Sequence, residues 1–217
     1  MGDVIIILFR FFPDMVKQKV TIVKNLKAVL GDMGPWVKNP DFLYSGRAGN
    51  FKLLPREILA NWLLCIVGNS GRDTEQLTFC NDPFGGGDGI ILDRESGEQM
   101  VTEHIFIPKH QNKDGKSTED LVVEAVEKKE NKGGKSYSKG KHLIIFCDGI
   151  GNWFPNKVGR RIQGIHNFSS VWAIGLERVE NDNFYFYWVA LFDKNHSPVS
   201  QVKIDFQQKQ WSVENIQ

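Results

Sequence analysis

The order of apolar segments between Pro55 and Cys147 constrains the fold more than any other feature of this sequence. A helix is predicted to begin at Pro55, because proline is favoured in a first turn, and to end before Gly68. The elements predicted after it are strands at Leu77–Cys80, Gly89–Asp93 and Met100–Ile107, a helix from Thr118 to Glu130, and a strand at His142–Cys147. The order helix, three strands, helix, strand predicts a mixed α/β sheet with flanking helices.

The two ends of the chain are predicted to differ from this middle part. The C-terminal part is predicted to be β-rich, with a short helix near Val158–Gly164 and strands at Val171–Leu176, Phe184–Phe192 and Gln201–Phe206. The apolar residues between positions 15 and 30 recur at helical spacing, which predicts a helix. Gly31 and Pro35 are expected to end this helix. We therefore expect a helical and loop-rich lead-in over residues 1–54 and one globular unit over residues 55–217.

Composition excludes some classes of protein. Lys and Arg number 27 against 26 Asp and Glu, so the net charge gives no argument for an anionic partner. The cysteines, Cys65, Cys80 and Cys147, lie in apolar runs without metal-ligand spacing, which is typical of buried thiols in a reducing compartment. No apolar run is long enough to span a membrane. A cytoplasmic protein without a membrane partner is expected.

The predicted strands at Gly89–Asp93 and Met100–Ile107 are expected to form a hairpin, because residues 94–98 between them are a short loop with a glycine. Two acidic residues of this hairpin are candidates for binding a metal ion. Asp88 follows a glycine-rich turn at residues 82–87 and precedes a strand. Glu103 shares one strand face with Val101 and Ile105, because side chains alternate along a strand. A buried unpaired carboxylate is costly, and two carboxylates repel unless a cation lies between them. Mg²⁺, or Mn²⁺ in its place, suits such ligands.

The helix that begins at Thr118 places a lysine on its core-facing side. At about 100° per residue, Lys129 falls inside the apolar arc, one turn beyond Ala125 and Val126. Lys128 falls at the edge of this arc. A lysine in such a position either extends past the helix end or points into a polar site.

These features resemble the PD-(D/E)XK nuclease superfamily, whose restriction-endonuclease-like core runs helix, three strands, helix, strand. Asp88, which stands between two glycines, resembles the first metal ligand of that superfamily, and Glu103 resembles its second acid. Glu57 matches an acid that some members carry on the first helix. The resemblance covers residues 57–147 and implies a Mg²⁺-dependent phosphodiesterase in which these acids bind the metal.

The sequence departs from the superfamily pattern at the catalytic lysine. That lysine is expected two residues after the second acid, where this chain has Ile105. Some members carry it on the second helix instead, so the resemblance implies that Lys129 orients the attacking water. Lys128 is the next choice for this role, and Lys109 is the third.

Two basic clusters are candidates for binding nucleic acid, with DNA as the expected form. The first is predicted to be a flexible loop after the second helix, and its lysines could contact phosphates. The second lies near Trp153 and Phe154, whose rings could stack on exposed bases. The residues predicted to bind nucleic acid are Lys132, Lys135 and Lys139 in the first cluster, and Lys157, Arg160 and Arg161 in the second.

Each candidate site residue also has a purely structural interpretation. Asp88 could be an ordinary turn residue, and Glu103 could form a structural ion pair. Lys129 could extend past the helix end, and Glu57 could stabilise the helix dipole. The lysine-rich segment could be solvated surface. No histidine has metal-ligand spacing, and none is assigned to the metal.

Three functions remain open from the sequence. The first is a Mg²⁺-dependent nuclease that cuts DNA in a restriction, repair or mobile-element setting. The second is a catalytically inactive module that keeps the fold and binds nucleic acid or assembles with other proteins. The third is a structural interaction protein that forms a homodimer through its β-rich tail.

Overall fold

The computed structural model describes residues 4–7, 21–39, 41–47, 52–82, 87–109, 115–149 and 152–217, without the side chains of residues 4–7, 21–24 and 133–135. The described part is mixed α/β, as predicted, and the chain divides into two compact units, Met1–Gln99 and Met100–Gln217. Predictions for residues 8–20 and for the turn at residues 83–86 lie outside the described residues. None of the described helices combines the length and the apolarity needed to cross a membrane.

The first unit begins with a small antiparallel sheet and a helix. Strand β1 (Val4–Ile7) pairs with strand β2 (Thr21–Lys24), and helix α1 (Leu26–Val37) follows directly. The side chain of Asn25 caps this helix, because its Oδ1 accepts a hydrogen bond from the N–H of Lys27 at 2.8 Å. This cap fixes the start of the helix.

The helix predicted over residues 15–30 is correct at residues 26–30, which belong to α1, and wrong at residues 21–24 and in its predicted end. Residues 21–24 form β2, and α1 continues through Gly31 and Pro35. Proline lacks an N–H donor, but helices in proteins are stabilised mainly by packing of their apolar faces. The side chains that α1 buries are Leu26, Val29, Leu30, Met33 and Val37. Their packing outweighs the local signals for a break.

Helix α2 (Pro55–Asn69) begins at the predicted proline and is buried over most of its length. The indole N–H of Trp62 donates to the backbone carbonyl of Leu26 at 2.9 Å. Trp62 is completely buried, so this bond joins α2 to α1 inside the core of the first unit.

The end of α2 is tied to a β-hairpin. The side-chain Oδ1 of Asn69 accepts from the N–H of Leu77 at 2.8 Å, and its Nδ2 donates to the carbonyl of the same residue at 2.9 Å. Strand β3 (Leu77–Cys80) pairs antiparallel with strand β4 (Gly89–Asp93), and both strands lie at the predicted residues. Asp88 therefore lies at the start of a strand that pairs within the first unit.

The second unit contains most of the β structure. Its elements are β5 (Gln99–Ile107), α3 (Thr118–Ser138), β6 (Lys141–Cys147), α4 (Pro155–Arg161), β7 (Ser170–Glu180), β8 (Phe184–Leu191), β9 (Val199–Asp205) and β10 (Gln210–Asn215). The strand order is β10-β9-β8-β7-β6-β5. Strands β5 to β7 are parallel neighbours, which require crossover connections such as α3, and β7 to β10 are antiparallel. The predicted β-rich C-terminal part is confirmed.

The predicted order helix, three strands, helix, strand is present as α2, β3, β4, β5, α3 and β6. Two details of the second unit differ from the prediction. The lysine-rich segment after Glu130 is not a loop, because α3 continues to Ser138. Strand β10 was not predicted at all. The apolar face of α3 packs on the sheet as expected, with Val122 and Val126 in one cluster with Leu143.

Helix α4 is seated by a close backbone approach at Gly159. A Cβ at this position would collide with the carbonyl oxygen of Asp193 and would lie 2.6 Å from Oγ of Ser197. Gly159→Ala is expected to lower the free energy of unfolding by about 1–3 kcal/mol through overpacking, as measured by urea denaturation. Gly46→Ala is the control, because its Cβ would meet nothing within 4 Å. Equal stability of the two variants would contradict this account of the α4 seat.

Candidate functional site

A pair of carboxylates in the first unit is the best candidate for a metal centre. Glu57 is the third residue of α2 and is only 9% exposed, and Asp88 is half-buried just before β4. Their carboxylate oxygens lie within 4.8 Å of each other. The Oε2 of Glu57 also accepts from the backbone N–H of Leu54 at 2.9 Å, which fixes the side chain at the start of the helix.

The electrostatics of this pair favour a cation. Burial raises the pKa of the Glu57 carboxyl and the charge of Asp88 raises it further, whereas the Leu54 N–H, Arg56 and Arg47 oppose the rise. The pKa stays above its ordinary value of 4.5. Ionised Glu57 is therefore disfavoured unless positive charge is added beside it. Two carboxylates offer hard oxygen ligands, which fit Mg²⁺, Mn²⁺ or Ca²⁺.

Glu103, which was predicted to bind the metal ion, instead contacts basic and hydroxyl side chains. Its Oε2 lies 2.9 Å from Nζ of Lys129, and its Oε1 lies 2.8 Å from Nζ of Lys141. The hydroxyl of Tyr137 also donates to Oε2. Glu103 is 4% exposed and Lys129 is 8% exposed, so this is a buried ionic network that ties α3 to β5 and β6.

The network keeps Glu103 ionised. Burial alone would raise the pKa of this carboxyl, but hydrogen bonds from Lys129, Lys141 and Tyr137 outweigh burial and hold the pKa below its ordinary value. Both carboxylate oxygens already contact an ammonium group, so the negative charge of Glu103 is balanced by protein side chains. This arrangement is the structural ion pair that was the alternative interpretation of Glu103.

The buried position of Lys129 agrees with its placement on the core-facing arc of the helix. Its ammonium points to Glu103 and does not extend into solvent, whereas Lys128 is exposed. The contacts of Tyr137 and Lys141 with Glu103 could not be predicted from the sequence, because the lysine-rich segment that contains both residues is predicted to be a loop. The Nζ of Lys141 lies 4.0 Å from the centre of the Tyr137 ring, so the two residues also contact each other.

The predicted nucleic-acid contacts are mostly exposed in the structure. In the first cluster Lys132 and Lys139 are exposed, and the side chain of Lys135 lies outside the described residues. The second cluster is better organised. Lys157, Arg160 and Arg161 line one cleft of about 360 Å³ together with Ser117 and Glu119.

The two carboxylate sites differ in what they could do chemically. Glu57 and Asp88 are two carboxylates whose like charges repel each other, which suits a bound cation. Glu103 is balanced by lysines, which suits a structural role. The chain matches no protein-family model, and no curated protein matches its sequence significantly.

Proposed function

We propose that this chain binds a divalent cation through Glu57 and Asp88 and hydrolyses phosphodiester bonds in nucleic acid. One observation carries the proposal: two carboxylates with oxygens within 4.8 Å of each other, one of them 9% exposed. Placing like charges this close is unfavourable without a compensating cation. Glu57 and Asp88 are two of the three residues that the sequence resemblance implies as metal ligands, which supports the proposal, whereas the third, Glu103, is paired with lysines.

The metal is proposed to be Mg²⁺ or Mn²⁺. Glu57 and Asp88 would hold it with carboxylate oxygens, which are the ligands that these ions prefer together with water and phosphate oxygens. When bound, such an ion polarises a phosphoryl oxygen and lowers the pKa of water. The hydrogen bond from the Leu54 N–H keeps the Glu57 carboxylate in place. The proposed roles of Lys129 and Lys128 in orienting the attacking water stay predictions.

Titration calorimetry with MnCl₂ and MgCl₂ tests the metal site. Glu57→Gln and Asp88→Asn are each expected to weaken binding by at least about 10-fold, because each removes one anionic ligand of the ion. Glu75→Gln is the matched control, because Glu75 is an exposed carboxylate of the same unit. Binding should also strengthen as the pH rises above 4.5, since protons compete with the metal for Glu57 and its pKa is raised.

A cleavage assay on labelled DNA and RNA completes this test. Hydrolysis is expected with Mg²⁺ or Mn²⁺ and is expected to stop with EDTA and in both variants. If the wild-type chain binds neither ion, or if Glu57→Gln and Asp88→Asn bind as tightly as the Glu75→Gln control, the proposed metal site is wrong. If metal binds at this site and no nucleic acid is cut, the enzymatic part of the proposal is wrong.

A second candidate function is a module that binds nucleic acid without cleaving it. The observation that favours it is the engagement of Lys129, the lysine expected to assist the attacking water, in the buried network with Glu103. Binding of nucleic acid in EDTA, with no cleavage after metal is added, would support this candidate over the enzyme.

A further inference from the structure

Phe154 is a large apolar side chain that the second unit holds out into solvent. Phe154 is 60% exposed. The backbone beneath it is fixed on both sides. Its N–H donates to Oε1 of buried Glu119 at 3.1 Å, and its carbonyl accepts from the N–H of Lys157 at 2.9 Å. The ring is therefore exposed although both backbone polar groups of Phe154 are held by hydrogen bonds.

The surface next to Phe154 is a cleft lined by packed aromatic rings. Trp153 packs on Trp188 and Phe192, with ring centroids 5.0 and 5.8 Å apart. Trp153, Phe154 and Trp188 line a cleft of about 610 Å³, together with the exposed side chain of Ile216. This volume is within the range of small-molecule sites, so it can accept a planar group such as a nucleobase.

Positive charge lies next to Phe154. The Nζ of Lys157 lies 4.3 Å from the centre of the Phe154 ring, and exposed Arg160 lines a small cleft together with Phe154 and Lys157. In the part of the chain that the structure describes, neither residue forms an ion pair. Arg161, in contrast, is paired with Asp120 at 2.8 Å. Two cations beside the ring are thus left to attract an anion.

Two acidic side chains near this surface are already engaged. Glu119 is 8% exposed and accepts from the N–H of Phe154. Glu177, which lines the aromatic cleft, accepts from Arg178 and from Gln201. The surface around Phe154 therefore combines an exposed ring, an aromatic cleft and positive charge, and its charge suits a polyanion whose flat groups are accessible.

We propose that this surface, formed by Trp153, Phe154, Lys157 and Arg160, binds single-stranded nucleic acid. One base stacks on the ring of Phe154, and neighbouring phosphates contact Lys157 and Arg160. A single strand fits better than a duplex, because paired bases are stacked on one another and their faces are not accessible. The inference deepens the proposed function by naming the strandedness of the substrate, and its choice of nucleic acid as the ligand rests on that function.

Fluorescence anisotropy of a labelled oligothymidylate, measured on the full chain in EDTA, tests the proposal. A length of about 10 nucleotides suits a site of this kind. Phe154→Leu, which keeps an apolar side chain but cannot stack, is expected to weaken binding by about 5- to 100-fold. Phe154→Trp, which keeps an aromatic ring, is expected to bind as the wild type does. Lys157→Gln and Arg160→Gln should each lower the slope of log affinity against log salt by about 0.7.

The chain offers a matched control pair on another surface. Lys203 lies 4.4 Å over the ring of Phe184, which repeats the contact between Lys157 and Phe154 outside the aromatic cleft. Phe184→Leu and Lys203→Gln should bind the oligonucleotide as the wild type does. Equal loss in both pairs of variants would show a non-specific charge effect and overturn the proposal. Circular dichroism establishes that each variant is folded.

Two other results would also overturn it. One is absence of oligonucleotide binding by the folded wild-type chain, which would leave a protein partner as the better occupant of this surface. The other is equal affinity for a duplex of the same sequence. Because binding is measured without metal, these failures are distinguishable from failure of the metal site, which is read from calorimetry and from cleavage.

Discussion

Replacement of Glu103 by alanine is expected to lower the free energy of unfolding by about 3–5 kcal/mol, because it leaves the ammonium group of Lys129 buried without its carboxylate. Lys129 is 8% exposed and has little access to water. Lys141 is less affected, since its side chain is 17% exposed and lies next to solvent. Urea denaturation of the wild type and the variant measures the loss.

A double-mutant comparison shows whether the loss comes from an unbalanced charge. Glu103→Leu and Lys129→Met should each destabilise the protein, whereas the double variant should be more stable than either single variant. An apolar pair of similar volume often replaces a buried ion pair at little cost. If the double variant is as unstable as the sum of the single variants, the ionic network is not the origin of the effect.

The pH dependence has a defined direction. The pKa of Glu103 is below its ordinary value of 4.5, so the carboxylate stabilises the folded state above pH 4.5. This stabilisation is lost as the pH falls through the lowered pKa of the folded state. The difference in stability between wild type and Glu103→Gln should therefore be constant near neutral pH and should shrink on acidification.

The same network separates the two interpretations of Lys129. Lys129→Arg keeps a cation beside Glu103, so the stability of the fold should be largely retained. If this variant is stable but no longer cleaves nucleic acid, Lys129 acts in the reaction. If the wild type cleaves nucleic acid and the stable Lys129→Arg variant cleaves it equally well, Lys129 has a structural role.

The elements between Pro55 and Cys147 could be predicted because their signals are local. Pro55 marks the first turn of α2, and Gly97 supplies the positive φ of 75° in the turn between β4 and β5. Alternation along β5 also placed Glu103 on an apolar face, and Glu103 is buried. Short-range patterns of this kind do not depend on knowledge of the rest of the fold.

The extent of α3 could not be predicted, because contacts distant in sequence determine it. Two glycines in its last turns each cost about 1 kcal/mol relative to alanine, which indicated a loop. In the structure Tyr137 bonds to Glu103, and buried Ser138 bonds to Glu130. The contact of Tyr137 with Glu103 is tertiary, whereas the bond between Ser138 and Glu130 lies within α3. Together they hold the last turns of the helix in place in spite of the glycines.

The partners of Glu103 illustrate the same limit for the candidate sites. Lys141 reaches Glu103 because β5 and β6 pair in parallel with Val101 opposite Lys141, which places the two side chains on one face. That register is not visible in the sequence. The proximity of Glu57 to Asp88 likewise depends on how α2 packs on the β3–β4 hairpin. The sequence identifies the two acidic residues as candidates but does not show that their carboxylates lie close together.

Replacement of Trp62 by alanine is the second change with a large expected effect. Trp62 is completely buried, and its indole N–H donates to the carbonyl of Leu26 at 2.9 Å. Trp62→Ala is expected to lower the free energy of unfolding by about 3–5 kcal/mol, because it leaves a large cavity between α1 and α2. Trp36→Ala is the matched control, since Trp36 is a half-buried tryptophan of α1 and should cost less.

Trp62→Phe separates the hydrogen bond from the packing. It keeps most of the apolar volume and removes the donor to Leu26, so a loss of about 1–3 kcal/mol is expected. Glu57 lies on the same helix as Trp62, five residues earlier in the chain. If α2 positions the carboxylate pair, Trp62→Phe should retain metal binding, whereas Trp62→Ala should weaken it at a temperature where the variant is still folded. Unchanged metal affinity in folded Trp62→Ala would show that the Leu54 hydrogen bond to Glu57 is sufficient to place this ligand.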